Sequence, residues 1–119
     1  MPTTRVMIAA LGGILLAQGA GAHAILMTSE PAAGASVSAG RLDMTFRYNS
    51  RIDRRRSRLT LINPDHVQSV LKIVPVGEPD ALETTADLSK PGAYVVRWQV
   101  LAIDGHITRG DVPFTVTDH

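Results

Sequence analysis

The chain has 119 residues, with 12 lysines and arginines against 11 aspartates and glutamates, four histidines and no cysteine. A hydrophobic fraction of 45% with 19% charged residues suits one globular domain and excludes intrinsic disorder. A formal charge of +1 excludes the strongly basic face that nucleic-acid binding needs, and the lack of cysteine excludes disulfides, thiolate metal sites and a cysteine nucleophile.

The first 22 residues differ from the rest. Met1 to Arg5 is short and carries one basic side chain, Val6 to Gln18 is apolar and uncharged, and Ala20-Gly21-Ala22 has the small-x-small form that signal peptidases accept. The apolar run is shorter than the roughly 20 residues of a membrane span. The segment therefore reads as a secretory signal peptide cleaved after Ala22. The exported domain, residues 23–119, then starts at His23 and keeps 97 residues, with 11 basic and 11 acidic side chains.

Beyond residue 22 the apolar pattern has period two. Leu42, Met44, Phe46 and Tyr48 alternate with polar residues, as do Val112, Phe114 and Val116. Tyr94, Val96, Trp98 and Val100 follow the same spacing. One set faces a core and the other water, as in half-buried strands. Weaker strands are expected over Ala24 to Thr28, Arg58 to Ile62, Val70 to Val74 and Leu82 to Ala86. Turn residues separate them: the small, flexible run Pro31 to Gly40, then Asn63-Pro64-Asp65, Gly77 to Asp80, and Lys90-Pro91-Gly92. About seven short strands without a helical stripe predict an all-β, Greek-key sandwich or barrel.

Arg51 to Arg58 places five arginines in eight residues. The segment reads as a solvated loop or an edge strand whose charge prevents edge-to-edge pairing. A docking patch for an acidic partner or an anionic membrane is the alternative.

Two places can carry metal chemistry. Cleavage after Ala22 turns His23 into a terminal residue whose α-amine and imidazole Nδ1 can close a chelate ring. Asp104-Gly105-His106 follows a strand end, and residues two apart in extended chain project to one side, so Asp104 and His106 can present carboxylate and imidazole together. An amine, two imidazoles and a carboxylate suit Cu(II), which also heads the divalent affinity order; zinc accepts the same ligand types. Taken alone, Asp-Gly-His reads first as a simple turn with a surface histidine, since a three-residue match is weak. His66, in a turn, and His119, at the chain end, are expected to be solvated. Neither a Ser-His-Asp constellation nor a glycine-rich phosphate loop is evident.

The residues His23-Ala24-Ile25-Leu26, Ser29-Glu30-Pro31-Ala32-Ala33-Gly34, Gly92 to Trp98, Asp104-Gly105-His106, Gly110 and Phe114-Thr115-Val116 resemble the CopC family of periplasmic copper-binding proteins. The resemblance covers nearly all of residues 23–119 and is specific at the two ends. It implies an immunoglobulin-like or cupredoxin-like β-fold and a Cu(II) site on His23, Asp104 and His106. It further implies a monomeric, non-enzymatic copper carrier or buffer in the periplasm, working beside a membrane copper transporter of the CopD type.

Two departures stand out. Some relatives place a glutamate where this chain reads Phe46-Arg47-Tyr48-Asn49, leaving Tyr48 as the local substitute. Some also carry a Met- and His-rich loop for Cu(I), whereas residues 23–119 hold only Met27 and Met44, expected to pack rather than ligate. A Cu(II)-only protein is therefore expected. Two other readings are a brace-type copper monooxygenase, for which 97 residues leave little substrate surface, and a metal-free immunoglobulin-like interaction module.

Overall fold

Apolar side chains at every second position become the facing surfaces of two β-sheets. A computed structural model describes residues 23–118, so the signal-peptide reading of residues 1–22 and the solvated reading of His119 lie outside the described residues. Eight strands follow in order: β1 Leu26–Glu30, β2 Ser36–Ser38, β3 Gly40–Tyr48, β4 Ile52–Ile62, β5 Gln68–Leu71, β6 Ala81–Leu88, β7 Gly92–Ala102 and β8 Ile107–Thr117. They form a three-stranded sheet, β1-β3-β6, and a five-stranded sheet, β2-β8-β7-β4-β5. The chain crosses between sheets from β1 to β2, β2 to β3, β3 to β4, β5 to β6 and β6 to β7. Non-consecutive strands thus become neighbours, which is the Greek-key wiring of an immunoglobulin-like sandwich.

The core lies between the sheets. Met44, Phe46 and Leu82 face Leu59, Val96, Val100 and Val112, all fully buried, and each such side chain contributes about 1.5–3 kcal/mol of transfer free energy. Tyr94 stacks on Phe114, while Tyr48 meets Trp98 edge to face at 5.3 Å between ring centroids. The Tyr94 hydroxyl donates to the Lys90 carbonyl at 2.6 Å, the corner tyrosine of this sandwich class.

Several strands differ from the sequence reading. β1 and β5 are displaced by about two residues from the expected segments, because backbone pairing rather than apolar alternation sets their limits. β2 falls inside the run read as a flexible turn. Its parallel ladder with β8 is extended by bonds from Gly34 to Pro113 and from Ala39 to Thr117. Met27 is a further correction: it sits at a bulge between Leu26 and Thr28 and is 61% exposed, whereas Met44 packs in the core as expected. The bulge breaks the alternation that would have turned Met27 inward.

The arginine segment is the first half of β4, not a loop. Asp53 pairs with Leu101 and Arg58 with Gln99, so residues 54–57 bulge out opposite Val100 alone. Ser57 closes this excursion, its hydroxyl donating to the Asp53 carbonyl and accepting from the Leu101 amide.

Candidate metal centre

One end of the sandwich gathers the start of β1, the β3–β4 turn and the β7–β8 hairpin. The hairpin loop is short: the Ala102 amide bonds to the His106 carbonyl and the Gly105 amide to the Ala102 carbonyl, leaving three residues to reverse the chain. Gly105 adopts a φ of 95°, the positive value that closes three-residue loops and that a side chain disfavours. The two flanking residues are thereby fixed. The Asp104 carboxylate accepts from the His106 amide through Oδ1 at 3.2 Å, and its Oδ2 lies 3.2 Å from His106 Nδ1. The amide bond, with His106 as neighbour, holds the Asp104 carboxyl below the usual range and keeps it anionic.

His23 is delivered to the same place from the other end of the domain. Ala24 is buried, and its carbonyl accepts from the Thr108 hydroxyl at 2.7 Å. Ile25 is clamped on Asn49, donating to the side-chain oxygen and accepting from the amide. These bonds leave the His23 ring 5.2 Å from that of His106, edge to face at 87°. All three residues singled out in the sequence therefore lie together, exposed to solvent.

The donors are neighbours rather than a closed ligand cage. Among the described residues, no group of three or more His, Cys, Asp or Glu side chains is drawn together tightly enough to hold an ion. Asp104 and His106 are bonded to one another, and the nitrogen of His23 is an amide for as long as Ala22 precedes it.

Thr108 and Asn49, which hold the first strap of chain, carry no sequence signal; each looks like an ordinary strand or turn residue. Tyr48 is no substitute ligand. It is buried against Trp98 and its hydroxyl has no hydrogen-bond partner among the described residues, so burial raises its pKa. His66 is exposed in the β4–β5 turn, as expected.

Comparisons with known proteins bear on the family and the fold. Residues 26–117 match the CopC domain family. The chain is 30% identical to Protein YobA of Escherichia coli K12 over 117 residues, covering 94% of this chain and 93% of that one. Among solved structures it is similar to CopC from Methylosinus trichosporium OB3b, with a TM-score of 0.70 and 26% identity over 79% of this chain and 93% of that one. It also shares the fold of PcoC, a methionine-rich copper resistance protein of Escherichia coli. There the TM-score is 0.63 with 24% identity, covering 81% of this chain and all of that one.

Proposed function

The chain belongs to the CopC family, and from that premise we propose that it is a periplasmic Cu(II)-binding protein of copper homeostasis or resistance, exported by cleavage after Ala22. Support comes from the convergence of His23, Asp104 and His106 at one end of the sandwich, with the rings of the two histidines 5.2 Å apart.

In this reading, cleavage converts the His23 amide nitrogen into an amine, which joins Nδ1 of the same residue in a chelate ring. His106 adds a second imidazole and Asp104 a carboxylate. The set is hard to borderline, rich in nitrogen and free of sulfur, which favours Cu(II) over Cu(I). Exposed Met27 is a lone thioether and does not make a Cu(I) site. The ligands must lose protons to bind, so affinity falls as the medium is acidified.

The protein acts as a monomeric carrier or buffer, not an enzyme, and exchanges copper with a membrane transporter of the CopD type. An Asp104 carboxylate at the ion occupies a position that oxygen activation would need open.

The discriminating experiment is Cu(II) titration of two forms, one beginning at His23 and one with a single extra residue before it, followed by Trp98 fluorescence and electron spin resonance. The extended form keeps every side chain but lacks the chelating amine, so it should bind far more weakly. Equal affinity of the two forms would overturn the site.

A further inference from the structure

The arginine segment and the loop after β5 build one surface that the copper reading does not use. Arg54 is structural: its guanidinium donates to the carbonyls of Val74, Glu78 and Ala81 and so ties the loop to β4. Its neighbours point outward. Arg55 and Arg58 line one side of a shallow groove whose other side is Val70, Ile73 and Pro75. Lys72 continues the surface past Ile73, Val74 and Pro75, and Asp53 and Arg56 extend it beyond Arg55.

Two properties coincide there. Arg56 lies 3.9 Å from the Asp53 carboxylate, a long contact, and Arg55, Arg58 and Lys72 form no ion pair among the described residues. Beside these cations stand apolar side chains that the fold leaves in water, with Val70 68% and Val74 41% exposed. A charged edge strand that only discourages pairing needs the arginines but not the valines. Cations around projecting aliphatic groups are what binds the headgroup region of an anionic bilayer, phosphates meeting guanidinium forks and apolar tips entering the acyl boundary. The surface is shallow, as a lipid interface requires.

The geometry points to this face, Arg55, Arg56, Arg58 and Lys72 around Val70 and Val74, as a docking surface for an anionic phospholipid membrane. It stands apart from the copper reading and holds without metal. The register places it beside the metal end: Asp53 pairs with Leu101, and the Arg51 carbonyl accepts from the Ile103 amide in the β7–β8 loop. A docked protein therefore carries His23 and His106 close to the bilayer surface.

The test is co-sedimentation of the metal-free chain from His23 onward, which holds all eight strands and lacks the apolar N-terminal run. Vesicles are of phosphatidylcholine alone or mixed with phosphatidylglycerol. The protein should bind only the mixed vesicles, more weakly as salt rises, and inorganic phosphate at matched ionic strength should not release it. The R55Q/R56Q/R58Q variant should lose roughly a hundredfold in affinity, on the usual contribution of a basic side chain at such a surface. V70S/V74S should lose part of the binding, and Arg41→Gln, in the other sheet, none. Melting curves of the variants should match the parent, since every changed side chain is exposed.

Absence of binding to the mixed vesicles, equal binding to both vesicle types, or a triple variant as tight as the parent would each overturn the assignment. So would capture of polyglutamate by the same arginines with no vesicle binding, which would make the face a protein interface.

Discussion

Thr108 donates its hydroxyl to the carbonyl of Ala24 across 2.7 Å, and this bond joins the two halves of the metal centre. β8 carries Thr108 one residue beyond Ile107, next to His106, so the strand that presents one histidine also tethers the other. Thr108→Val keeps the side-chain shape but leaves a buried carbonyl without its donor, a loss of about 1–3 kcal/mol. Cu(II) affinity of the form beginning at His23 should fall about tenfold or more, and the melting temperature should drop by at least about 4 °C. Unchanged affinity in the titration would show that Asn49 alone positions His23.

Acid should reveal the Arg47–Glu78 pair. Arg47 donates to Glu78 at 2.7 Å, which lowers the Glu78 pKa from its ordinary 4.5. A carboxyl depressed in the folded state adds stability above its unfolded pKa and loses it as pH falls through the folded value. Glu78→Gln should therefore melt slightly below the parent at neutral pH, and the two curves should merge as pH drops below 4.5. The gap is small because both side chains are exposed. A gap that persists in strong acid would assign the effect to packing.

What the sequence exposes depends on whether a signal is local. The alternation of Met44, Phe46 and Tyr48, or of Val96, Trp98 and Val100, follows from facing a core, and it identifies those strands directly. β2 has no such pattern. Ser36 and Ser38 are small and polar, and the strand exists because β8 offers an unpaired edge. Asp104 and His106 declare themselves by spacing, and His23 by its place after a cleavage signal. Nothing local marks Thr108 or Asn49, whose roles arise only when distant segments meet. Met27 misleads for the converse reason: a one-residue bulge turns an inward position outward.

Gly110 faces Trp98 across the β7–β8 ladder, and a methyl group added there would collide with the indole ring. Gly110→Ala should destabilise the domain by about 1–3 kcal/mol, the usual cost of overpacking. It should also shift Trp98 emission, since the ring must move. A denaturant melt coinciding with the parent's would mean that β8 yields without cost.

Tyr48 carries a buried hydroxyl with no partner among the described residues, and burial raises its pKa. Tyr48→Phe retains the contact with Trp98 and removes the desolvation penalty, so it should stabilise the domain by about 1 kcal/mol. The sign with pH also follows. A phenol whose folded pKa is raised supplies stability below its unfolded pKa and loses it as pH rises, so the parent should unfold in strong alkali before the variant does. A destabilised variant in thermal melts would show that the hydroxyl is satisfied.

Two hairpin loops share one backbone design but not one residue choice. In Asn63-Pro64-Asp65-His66-Val67 the His66 amide bonds to the Asn63 carbonyl at 2.9 Å, as the Gly105 amide does to the Ala102 carbonyl in Ala102-Ile103-Asp104-Gly105-His106. The fourth residue is left-handed in both, with φ of 64° at His66 and 95° at Gly105. That conformation costs an L side chain about 1–2 kcal/mol, part of which glycine returns through the unfolded chain. His66→Gly should therefore stabilise by up to about 1 kcal/mol and leave Cu(II) affinity unchanged. Gly105→Ala meets no neighbour within 4 Å, so its cost is backbone strain alone. Because that loop sets Asp104 against His106, the strain should appear as lost stability and weaker Cu(II) binding together. Melts and titrations of the two variants side by side check this: a Gly105→Ala variant that binds copper like the parent would show that the loop does not determine the placement of Asp104 and His106.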